Sequence, residues 1–552
     1  MLLLAASLTA CASSSNEPAD TGARPDAATD GGAEADVDGG AGSGQDGRDA
    51  EPAFLPPDGT RRLVSGSAAL IGSGSDSCTN QSGATGDRWC AFLVPSQTAG
   101  RFELWVLDAT EAVSGAKVPC DGTDARCLRI ATDAYHQDGA GSLDGGFAGD
   151  TLLYRRGPDA TTADGPIWAW RPGWAIGREL VTGPGTACFA APNYASAFCL
   201  RTSQSAAAGS EANDLVAGLL DSPDGGPLAL VETIVTSAPS DPIGSSADLE
   251  LGFSPDGTWV AWSTTGVPSA QGLKVQKIGD PRAPIPAATN VSQWQMSGDE
   301  TAWLWLLAYK DDIIAPSGTL QTAAFPDGTG VTTLEANVAD YEPAGAKGLL
   351  VRANVADQVG DLRYIADLTM PATAVLLDQG VRTIVARSAD ASTVVYSKVS
   401  TAVGVDLFAW SASLAAPCTL SSEPAAFSIA RLMAAGRVVA WARRDVISQK
   451  VSGAITTLAS CTTQSLGEDL IQSMPASDRR LLFIDGAPSG STSGTLRVAT
   501  IAADGAPGPG TPLQRNVDVV FAPLAPNAVV YTVAGDAASR GLYLYAGALL
   551  AP

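Results

Sequence analysis

The sequence predicts an all-β protein built from repeated hairpins, and three observations lead to this fold class. First, residues 254–278 read SPDGTWVAWSTTGVPSAQGLKVQKI, which is a turn, a strand rich in aromatic and β-branched residues, a loop and a second strand. Second, this pattern returns along the chain. Third, 59 glycines, 35 prolines and 45% hydrophobic residues, without long helical periodicity, are typical of a turn-rich β protein. A chain of 552 residues is too long to fold around one ordinary hydrophobic core. We therefore expect a repeat architecture, in which many small sheets together form the core.

Ten hairpin units can be placed after residue 57. Most begin about 42–48 residues apart, which is the period of propeller blades with four strands. Two longer intervals indicate insertions. The predicted fold is therefore a β-propeller of four-stranded antiparallel blades, with seven to ten blades in one ring or in two. The hairpins span residues 89–108, 151–170, 197–220, 259–278, 301–325, 349–368, 393–411, 438–458, 481–501 and 529–545.

A third strand follows most hairpins, and we interpret it as the outer strand of each blade. Segments with this character are RELVT (178–182), GVRTIV (380–385) and AITTLA (454–459). The last hairpin has no such segment after it, whereas GTRRLVS (59–65) has outer-strand character without a hairpin before it. We therefore expect the N-terminal strand to complete the final blade and close the ring, which leaves no free sheet edge there.

The chain begins with MLLLAASLTAC, an apolar run that is too short to span a bilayer but suits the core of a signal peptide. Its last four residues, LTAC, resemble the lipobox of bacterial lipoproteins, although the Lys or Arg usual before the apolar run is absent. The resemblance implies that Cys11 is acylated and that the protein is lipid-anchored in the bacterial cell envelope. The next residue is Ala12 and not Asp, which favours the outer membrane over the inner one.

Residues 12–58 are mainly Ala, Gly, Asp, Ser and Pro, and cannot bury enough apolar surface to offset the entropy of ordering. We expect a disordered acidic tether with a reach of roughly 35–40 Å. The predicted organisation is a signal peptide with lipobox at 1–11, a tether at 12–58 and a propeller domain at 59–552. The net charge of −24 argues against nucleic acid as a partner, because phosphates are held by clusters of Lys and Arg.

The hairpin motif resembles the WD40-like, TolB-type (PD40) β-propeller repeats. That signature is SPDG, an apolar strand and then a DLFAW-type strand, and it is met at 254–262 and 406–410. Partial copies lie at 222–225, 325–328, 361–365 and 527–531. The resemblance implies a propeller from residue 59 to the C-terminus. It leaves function open, since the family includes protein-binding scaffolds and propeller domains attached to peptidases.

Nine cysteines in an exported chain divide into Cys11 for the lipid and eight for disulfides. Sequence order suggests the pairs 78–90, 120–127, 188–199 and 418–461, although eight cysteines allow 105 connectivities. The fourth pair is the least favoured, because the rim of a propeller can hold its cysteines beyond the Cα separation of a disulfide. The cysteines concerned are Cys78, Cys90, Cys120, Cys127, Cys188, Cys199, Cys418 and Cys461.

Catalytic chemistry finds little support in the sequence. The one histidine, His136, would have to serve a Ser-His-Asp or Cys-His apparatus alone, and no GxSxG motif occurs. Neither the CxxC pairs of structural zinc sites nor a calcium-loop spacing occurs within the fold. We therefore predict no catalytic residue, no cofactor and no metal site. The carboxylates weighed as paired acids or calcium ligands are Asp87, Asp311, Asp312, Asp340 and Glu342.

Tryptophans at alternate strand positions share one face of a sheet, where packing between blades is their ordinary role. A platform for stacking carbohydrate is the alternative. Trp174, in the loop RPGWAIG, is the best candidate for an exposed contact. The strand tryptophans are Trp168, Trp170, Trp262, Trp303, Trp305, Trp410 and Trp441.

The function that these features favour is that of a non-catalytic binding scaffold. We expect a lipid-anchored propeller that binds a protein or cell-wall glycan partner through the loops at one end of the ring. Two alternatives stay open. One is a propeller enzyme, a lyase or hydrolase with a carboxylate and calcium site over the central channel. The other is a sugar-binding propeller, which requires exposed Trp or Tyr at equivalent positions of several blades.

Overall fold

The structure is a computed structural model that describes residues 57–58, 60–65, 69–70, 89–96, 102–108, 120, 126–134, 146–148, 150–156, 165–182, 185–191, 195–203, 211–220, 225–236, 249–254, 256–264, 272–280, 282–289, 291–310, 315–370, 374–399, 405–445, 448, 450–467, 469–486, 493–524, 528–535 and 539–550. These residues are all-β, with 36 strands and a short 3-10 helix at Ala548–Leu550. All strand pairs are antiparallel. No helix in the described part of the chain has the length and hydropathy needed to cross a bilayer.

The strands of the first half of the chain are short, mostly four to nine residues. They are β1 (Thr60–Ser65), β2 (Ala69–Leu70), β3 (Trp89–Pro95), β4 (Phe102–Asp108), β5 (Cys127–Ala134), β6 (Gly146–Ala148), β7 (Thr151–Arg155), β8 (Ile167–Trp170), β9 (Arg178–Val181), β10 (Gly185–Ala190), β11 (Ser196–Thr202), β12 (Glu211–Leu219), β13 (Ala229–Thr236), β14 (Leu249–Phe253), β15 (Trp259–Thr264), β16 (Gly272–Lys277) and β17 (Ile285–Thr289).

The second half of the chain adds four long strands of 13 to 16 residues among short ones. Its strands are β18 (Val291–Met296), β19 (Ala302–Lys310), β20 (Ser317–Ala324), β21 (Thr332–Ala344), β22 (Gly348–Ala356), β23 (Val359–Ile365), β24 (Val375–Arg387), β25 (Thr393–Val399), β26 (Val405–Ser411), β27 (Cys418–Met433), β28 (Val438–Asp445), β29 (Val451–Thr457), β30 (Thr462–Gly467), β31 (Gln472–Ser477), β32 (Arg480–Asp485), β33 (Gly494–Thr500), β34 (Thr511–Leu524), β35 (Ala528–Val533) and β36 (Gly541–Ala546).

Pairing divides these strands into ten units of four, which we number 1 to 10 in chain order. Units 1 to 4 are the separate sheets β2–β5, β6–β9, β10–β13 and β14–β17. Units 5 to 8 follow one another in a 13-stranded sheet, β18–β30, and units 9 and 10 form a seven-stranded sheet that starts at β31 and ends with β1. Each of the ten predicted hairpins forms the two middle strands of one unit, so the hairpin prediction is confirmed.

Each long strand serves two units. The start of β21 pairs with β20 of unit 5, and its end pairs with β22 of unit 6. β24, β27 and β34 divide in the same way. We call the place where a long strand passes from one unit to the next its crossing point. At three of the four crossing points a residue has a backbone in the left-handed region: Asn337 (φ 56°), Gly380 (φ 70°) and Asn516 (φ 58°). Asn and Gly tolerate this conformation best, so the crossing point is set by local residue type.

Two of the predicted outer strands are wrong. The segment GVRTIV begins at the crossing point Gly380, and Val381 pairs with Lys398, so it is the inner strand of unit 7. The segment AITTLA lies largely in β29, a middle strand of unit 8, and the outer strand is β30. Residues 454–457 are buried on both faces of β29, whereas in GVRTIV Val381 is buried and Arg382 and Thr383 are exposed. The segment RELVT forms β9, an outer strand as predicted.

Ten apolar clusters hold the units together, and each cluster draws its buried residues from two units. Nine of them join consecutive units, from units 1 and 2 to units 9 and 10. The tenth joins unit 1, through residues such as Phe92 and Leu107, to unit 10, through Val530 and Leu544. The core is therefore a series of thin layers between sheets.

The strand β1 pairs as the sequence predicts. β1 lies antiparallel to β36, with Thr60 opposite Tyr545 and Ser65 opposite Gly541. It supplies the fourth strand of unit 10.

Removal of β1 is expected to destabilise the protein, because β36 then loses its ladder of backbone hydrogen bonds and becomes a free edge. A variant that lacks residues 12–65 should lose on the order of 3 kcal/mol in free energy of unfolding. A variant that lacks only residues 12–56 is the control and should unfold like the full chain in guanidinium titrations. Equal midpoints for the two deletions would contradict this role of β1.

Candidate functional site

Three of the four disulfides suggested by sequence order are present. Cys120 bonds to Cys127 with a Cα separation of 5.1 Å, and Cys188 bonds to Cys199, its direct cross-strand neighbour, with a Cα separation of 4.0 Å. Cys90 is also disulfide-bonded. The predicted partner of Cys90, Cys78, lies outside the described residues, as does the predicted lipidation site Cys11. The pairing of Cys78 and the modification of Cys11 stay predictions.

The third disulfide joins Cys418 to Cys461, with a Cα separation of 5.7 Å. The expectation that the rim of the fold holds Cys418 and Cys461 too far apart for a disulfide is therefore wrong. Cys418 starts β27, whose first half is the outer strand of unit 7, and Cys461 lies directly before β30, the outer strand of unit 8. The outer edges of these two units thus approach closely enough at this end to be linked covalently.

Trp174 does not form the exposed contact that the sequence suggests. Its backbone N–H donates to the carbonyl of Arg171 at 3.0 Å, which closes a tight turn. The turn brings the half-buried indole against the clusters on both sides of unit 2. The carbonyl of Trp174 also accepts a hydrogen bond from the indole N–H of Trp170 at 3.0 Å. Trp174 is therefore a packing residue.

Aromatic side chains in general pack between the sheets. All 12 tryptophans lie in the described residues and none is exposed. Trp303 and Trp305 are 0% and 2% exposed, and Trp262 is 1% exposed. Trp168 is half-buried, with the Arg156 guanidinium 4.5 Å from its ring centre. A stacking platform for sugars would need tryptophans open to solvent, so these residues do not form one.

Carboxylates on outer strands are used to link one unit to the next. At four interfaces an acid of an outer strand pairs with a base on a middle strand of the following unit or, for Arg156, directly after one. The distances are 2.8 Å for Asp133 to Arg156, 3.3 Å for Glu335 to Arg363 and 2.7 Å for Asp378 to Lys398, and the fourth pair is Glu232 with Lys274. Two of these acids also accept from a buried ring group, since Glu232 binds the Trp262 indole at 2.7 Å and Asp378 binds the Tyr396 hydroxyl.

The inner-strand acids that were weighed as catalytic are also paired. Asp340 accepts from the guanidinium of Arg352 (Nε to Oδ2 2.7 Å), and Glu342 accepts from Arg387 of the next unit at 2.7 Å. No group of three or more His, Cys, Asp or Glu side chains able to hold a metal ion occurs among the described residues. The other candidates, Asp87, Asp311, Asp312 and His136, lie outside those residues.

The turns that lead into the second strand of a unit repeat one hydrogen-bond arrangement. In the turn at residues 254–259, the Ser254 hydroxyl accepts from the backbone N–H of Trp259 at 3.0 Å, and Asp256 accepts from that of Thr258 at 3.0 Å. Gly257 supplies the left-handed residue (φ 68°). The turns that start at Ser297 and Ser388 have the same serine and aspartate bonds. The S-x-D-x-T/S pattern is therefore a structural signature.

These turns also contact one another from unit to unit. The Gly345 N–H donates to the Ala389 carbonyl at 2.6 Å, and the Ala434 N–H donates to the Asp478 carbonyl at 2.9 Å. Hydrogen bonds from the Ser392 backbone and from serine hydroxyls lower the pKa of Asp390, while its slight burial opposes them. The aspartates are thus held ionised by the backbone that they brace.

A concavity with a volume of about 390 Å³ lies between units 8 and 9. One wall is formed by Thr462, Thr463 and Gln464 of β30, together with Thr457 and Ser460. The other wall is the loop between β33 and β34, with Asp504, Ala506 and Pro507. Its lining is neutral except for Asp504. Nothing in the sequence indicates this cavity, because β30 reads TTQSLG and lacks the apolar pattern that predicts a strand.

Comparison with known proteins gives only distant similarity. No family model matches the sequence, and no curated protein matches it. Among solved structures, a eukaryotic initiation factor is 11% identical, with a TM-score of 0.45 over 78% of this chain and 96% of that one. Dipeptidyl peptidase 4 of Porphyromonas gingivalis is 10% identical (TM-score 0.41, 71% of this chain and 64% of that one), and TolB of Acinetobacter baumannii is 11% identical (TM-score 0.25, 57% and 79%). All three TM-scores lie below 0.5, and it is the strand pairing and core packing that define the fold.

The disulfide between units 7 and 8 is expected to stabilise the protein more than the shortest one. It closes a loop of 43 residues, against 7 for Cys120 and Cys127. Loop-closure entropy then predicts losses of about 4 kcal/mol for the double variant Cys418→Ser, Cys461→Ser and about 2.4 kcal/mol for Cys120→Ser, Cys127→Ser. Guanidinium unfolding midpoints measure both. A larger loss for the second variant would show that the long loop is already constrained in the unfolded chain.

Alkaline solutions are expected to unfold the protein. Burial raises the pKa of Tyr154, Tyr396 and Tyr531 above the ordinary 10.0. Above pH 10 the unfolded chain releases these protons while the folded chain keeps them, so stability falls as pH rises, by up to about 1.4 kcal/mol per pH unit for each tyrosine. Thermal unfolding between pH 9 and 12 should show a shallower fall for the double variant Tyr154→Phe, Tyr531→Phe. Parallel curves for variant and wild type would refute the assignment to these tyrosines.

Proposed function

We propose that the chain is a lipid-anchored β-propeller of the bacterial cell envelope that binds a protein or cell-wall glycan partner and has no catalytic site. Residues 1–11 would direct export, Cys11 would carry the lipid, and residues 12–58 would hold the propeller away from the membrane surface. Ala12 after the cysteine favours the outer membrane. The propeller would present its loops and edges as a rigid surface.

Ten blades in a closed ring are the architecture that the described contacts favour. The ten four-strand units match the blade of a propeller in size and connection. Packing of unit 1 against unit 10 in one apolar cluster, together with the pairing of β1 and β36, supports closure. A ring closed by an N-terminal outer strand leaves no unit with an uncovered face, which explains why the strand nearest the tether pairs with the last hairpin.

The observation that supports the binding function is that many of the described acids of the sheets are bound to Lys and Arg side chains. Acids on outer strands are bound to bases of the next unit, and the inner-strand acids Asp340 and Glu342 are bound to Arg352 and Arg387. Catalysis by a carboxylate pair or a calcium ion needs acids that converge and stay available for substrate or metal. Carboxylates that are bound to bases within a blade or across two blades suit a scaffold instead.

The two alternatives have weaker support. An enzyme with a carboxylate and calcium site over the channel would need the inner-strand acids, and two of them, Asp340 and Glu342, are bound by arginines. A sugar-binding propeller would need aromatic platforms, and every tryptophan is at least half-buried. We therefore favour a protein partner over a glycan.

Crosslinking in intact cells that produce the full chain, followed by mass spectrometry, tests the proposal. We expect one reproducible envelope partner, and membrane association that depends on the lipid. The Cys11→Ser variant should move to the soluble fraction and lose most of the crosslinked partner, because the tether no longer places the propeller at the membrane. A blank from the wild-type chain at equal expression would count against binding. Unchanged membrane association of Cys11→Ser would count against the anchor.

A further inference from the structure

We infer that the free edge of β30 is a docking site for an extended peptide segment with a Lys or Arg side chain, which adds a strand to unit 8 and places that side chain beside Asp504. The inference deepens the proposed binding function and rests on it. It names the place on the protein and the chemistry of the partner segment.

The first observation is that β30 alone among the ten outer strands lacks the residues that usually protect an edge. Charged side chains and prolines on edge strands oppose pairing with another chain. β30 reads TTQSLG and has neither. The other nine outer strands each contain at least one such residue, and examples are Arg61 in β1, Arg129 in β5, Glu179 in β9, Glu232 in β13, Pro286 in β17, Glu335 in β21, Asp378 in β24, Glu423 in β27 and Pro512 in β34.

The second observation is that this edge is open and regular. β30 ends its sheet, with β29 as its one partner strand among the described residues. Thr462, Thr463, Gln464 and Ser465 pair in unbroken register with β29, and all four are exposed. A regular stretch of four residues offers an alternating row of N–H and C=O groups to an added strand. The register shifts only after Ser465, so that Leu466 bulges.

The third observation is the cavity of about 390 Å³ that lies beside this edge. Gln464 is opposite Ile455, which packs in the cluster between units 8 and 9, so this face of β30 looks toward unit 9. Side chains of an added strand alternate between the two faces, and one set would point to the cavity. Main-chain bonds to β30 would then supply affinity, and the cavity would select the side chain.

The walls of this cavity are held in place. The hydroxyl of Thr457 donates to the Gly505 carbonyl at 2.7 Å, and the Ala502 N–H donates to the Ala506 carbonyl at 2.8 Å. On the β30 side, the disulfide fixes Cys461, directly before Thr462, to the start of β27. An edge and a wall that are already ordered reduce the entropy that binding costs.

Charge selects the occupant. Oδ1 of Asp504 accepts from the Ala506 N–H at 3.0 Å, and Oδ2 has no partner among the described residues. The nearby Arg437 is held by the carbonyls of Ala434 and Ala503 instead. A Lys or Arg side chain is the complement of an exposed carboxylate on a protein of net charge −24.

Two other occupants fit less well. A second copy of the chain, paired through β30, would bring together two acidic molecules with two Asp504 carboxylates at one interface. The tether of the same chain holds ten acids and two bases in residues 12–53, so the same charge repels it. A basic segment of another protein is therefore the occupant that the site favours.

The test uses the full-length protein and a fluorescein-labelled peptide of sequence TVTKTVT with blocked ends, measured by fluorescence anisotropy. Gln464→Lys puts a like charge at the cavity and should weaken binding at least tenfold. Asp504→Asn keeps the Oδ1 acceptor and should weaken binding about fivefold. Thr333→Lys, on the exposed outer strand β21, is the matched control and should bind like wild type. All variants should unfold at the wild-type temperature.

Several results would overturn the inference. They are no binding of the Lys peptide at 1 mM, equal binding of a TVTETVT peptide, and equal binding by Gln464→Lys. A concentration-dependent dimer in light scattering that Gln464→Lys abolishes would assign the edge to a second copy. Crosslinking in cells separates this inference from the proposed function: a partner captured equally by wild type and Gln464→Lys leaves the scaffold function intact and removes β30 from it, whereas capture by neither removes both.

Discussion

Each four-strand unit depends on its neighbours, because a small sheet with two apolar faces cannot bury both of them alone. β35 shows how this works. All six of its residues are buried, and successive side chains alternate between two clusters. Val529, Tyr531 and Val533 pack toward unit 9, whereas Ala528 and Val530 pack toward unit 1. One strand thus belongs to two cores, and stability lies in the interfaces between units, as in repeat proteins generally.

This constraint decides where polar groups can go. Once both faces of a sheet are covered by neighbouring sheets, charged residues on outer and middle strands come to lie beside the next unit. There an acid of one unit meets a base of the next, as Glu232 meets Lys274 and Asp378 meets Lys398. Such partly exposed pairs contribute little stability each. They link neighbouring units, and part of the strongly acidic composition is thereby accounted for without a site of chemistry.

Much of the fold could be predicted from sequence, because the middle strands carry local information. A turn rich in Gly, Asp or Ser, followed by a short run of apolar and β-branched residues, identifies a hairpin without reference to the rest of the chain. The outer strands carry no such pattern, since their apolar content depends on what covers them. For this reason the sequence does not indicate β30, and the apolar segment AITTLA of β29 is predicted as the outer strand of unit 8 instead.

The features of the site that sequence could not predict depend on distances between units. Whether Cys418 can reach Cys461 is decided by how closely two neighbouring sheets approach at their outer edge, which residues 43 positions apart do not encode. The burial of Trp174 could not be predicted for the same reason. The turn at Arg171 directs its side chain inward, where it contacts the apolar clusters on both sides of unit 2. The candidate carboxylates were recognisable as residues, but their partners lie on neighbouring strands and in the next unit.

A fold of this kind leaves few surfaces for binding, since packing between units consumes the faces of the sheets. What is left over is loops and outer edges, and an unprotected edge carries a cost because it invites unspecific pairing. Nine outer strands contain a charged residue or a proline, which opposes such pairing. β30 has neither, but its open edge is short. The regular stretch is four residues long, starts beside the disulfide of Cys461 and ends at a bulge. An edge kept short, rigid and uncharged is open to a chosen strand and too small to template a sheet.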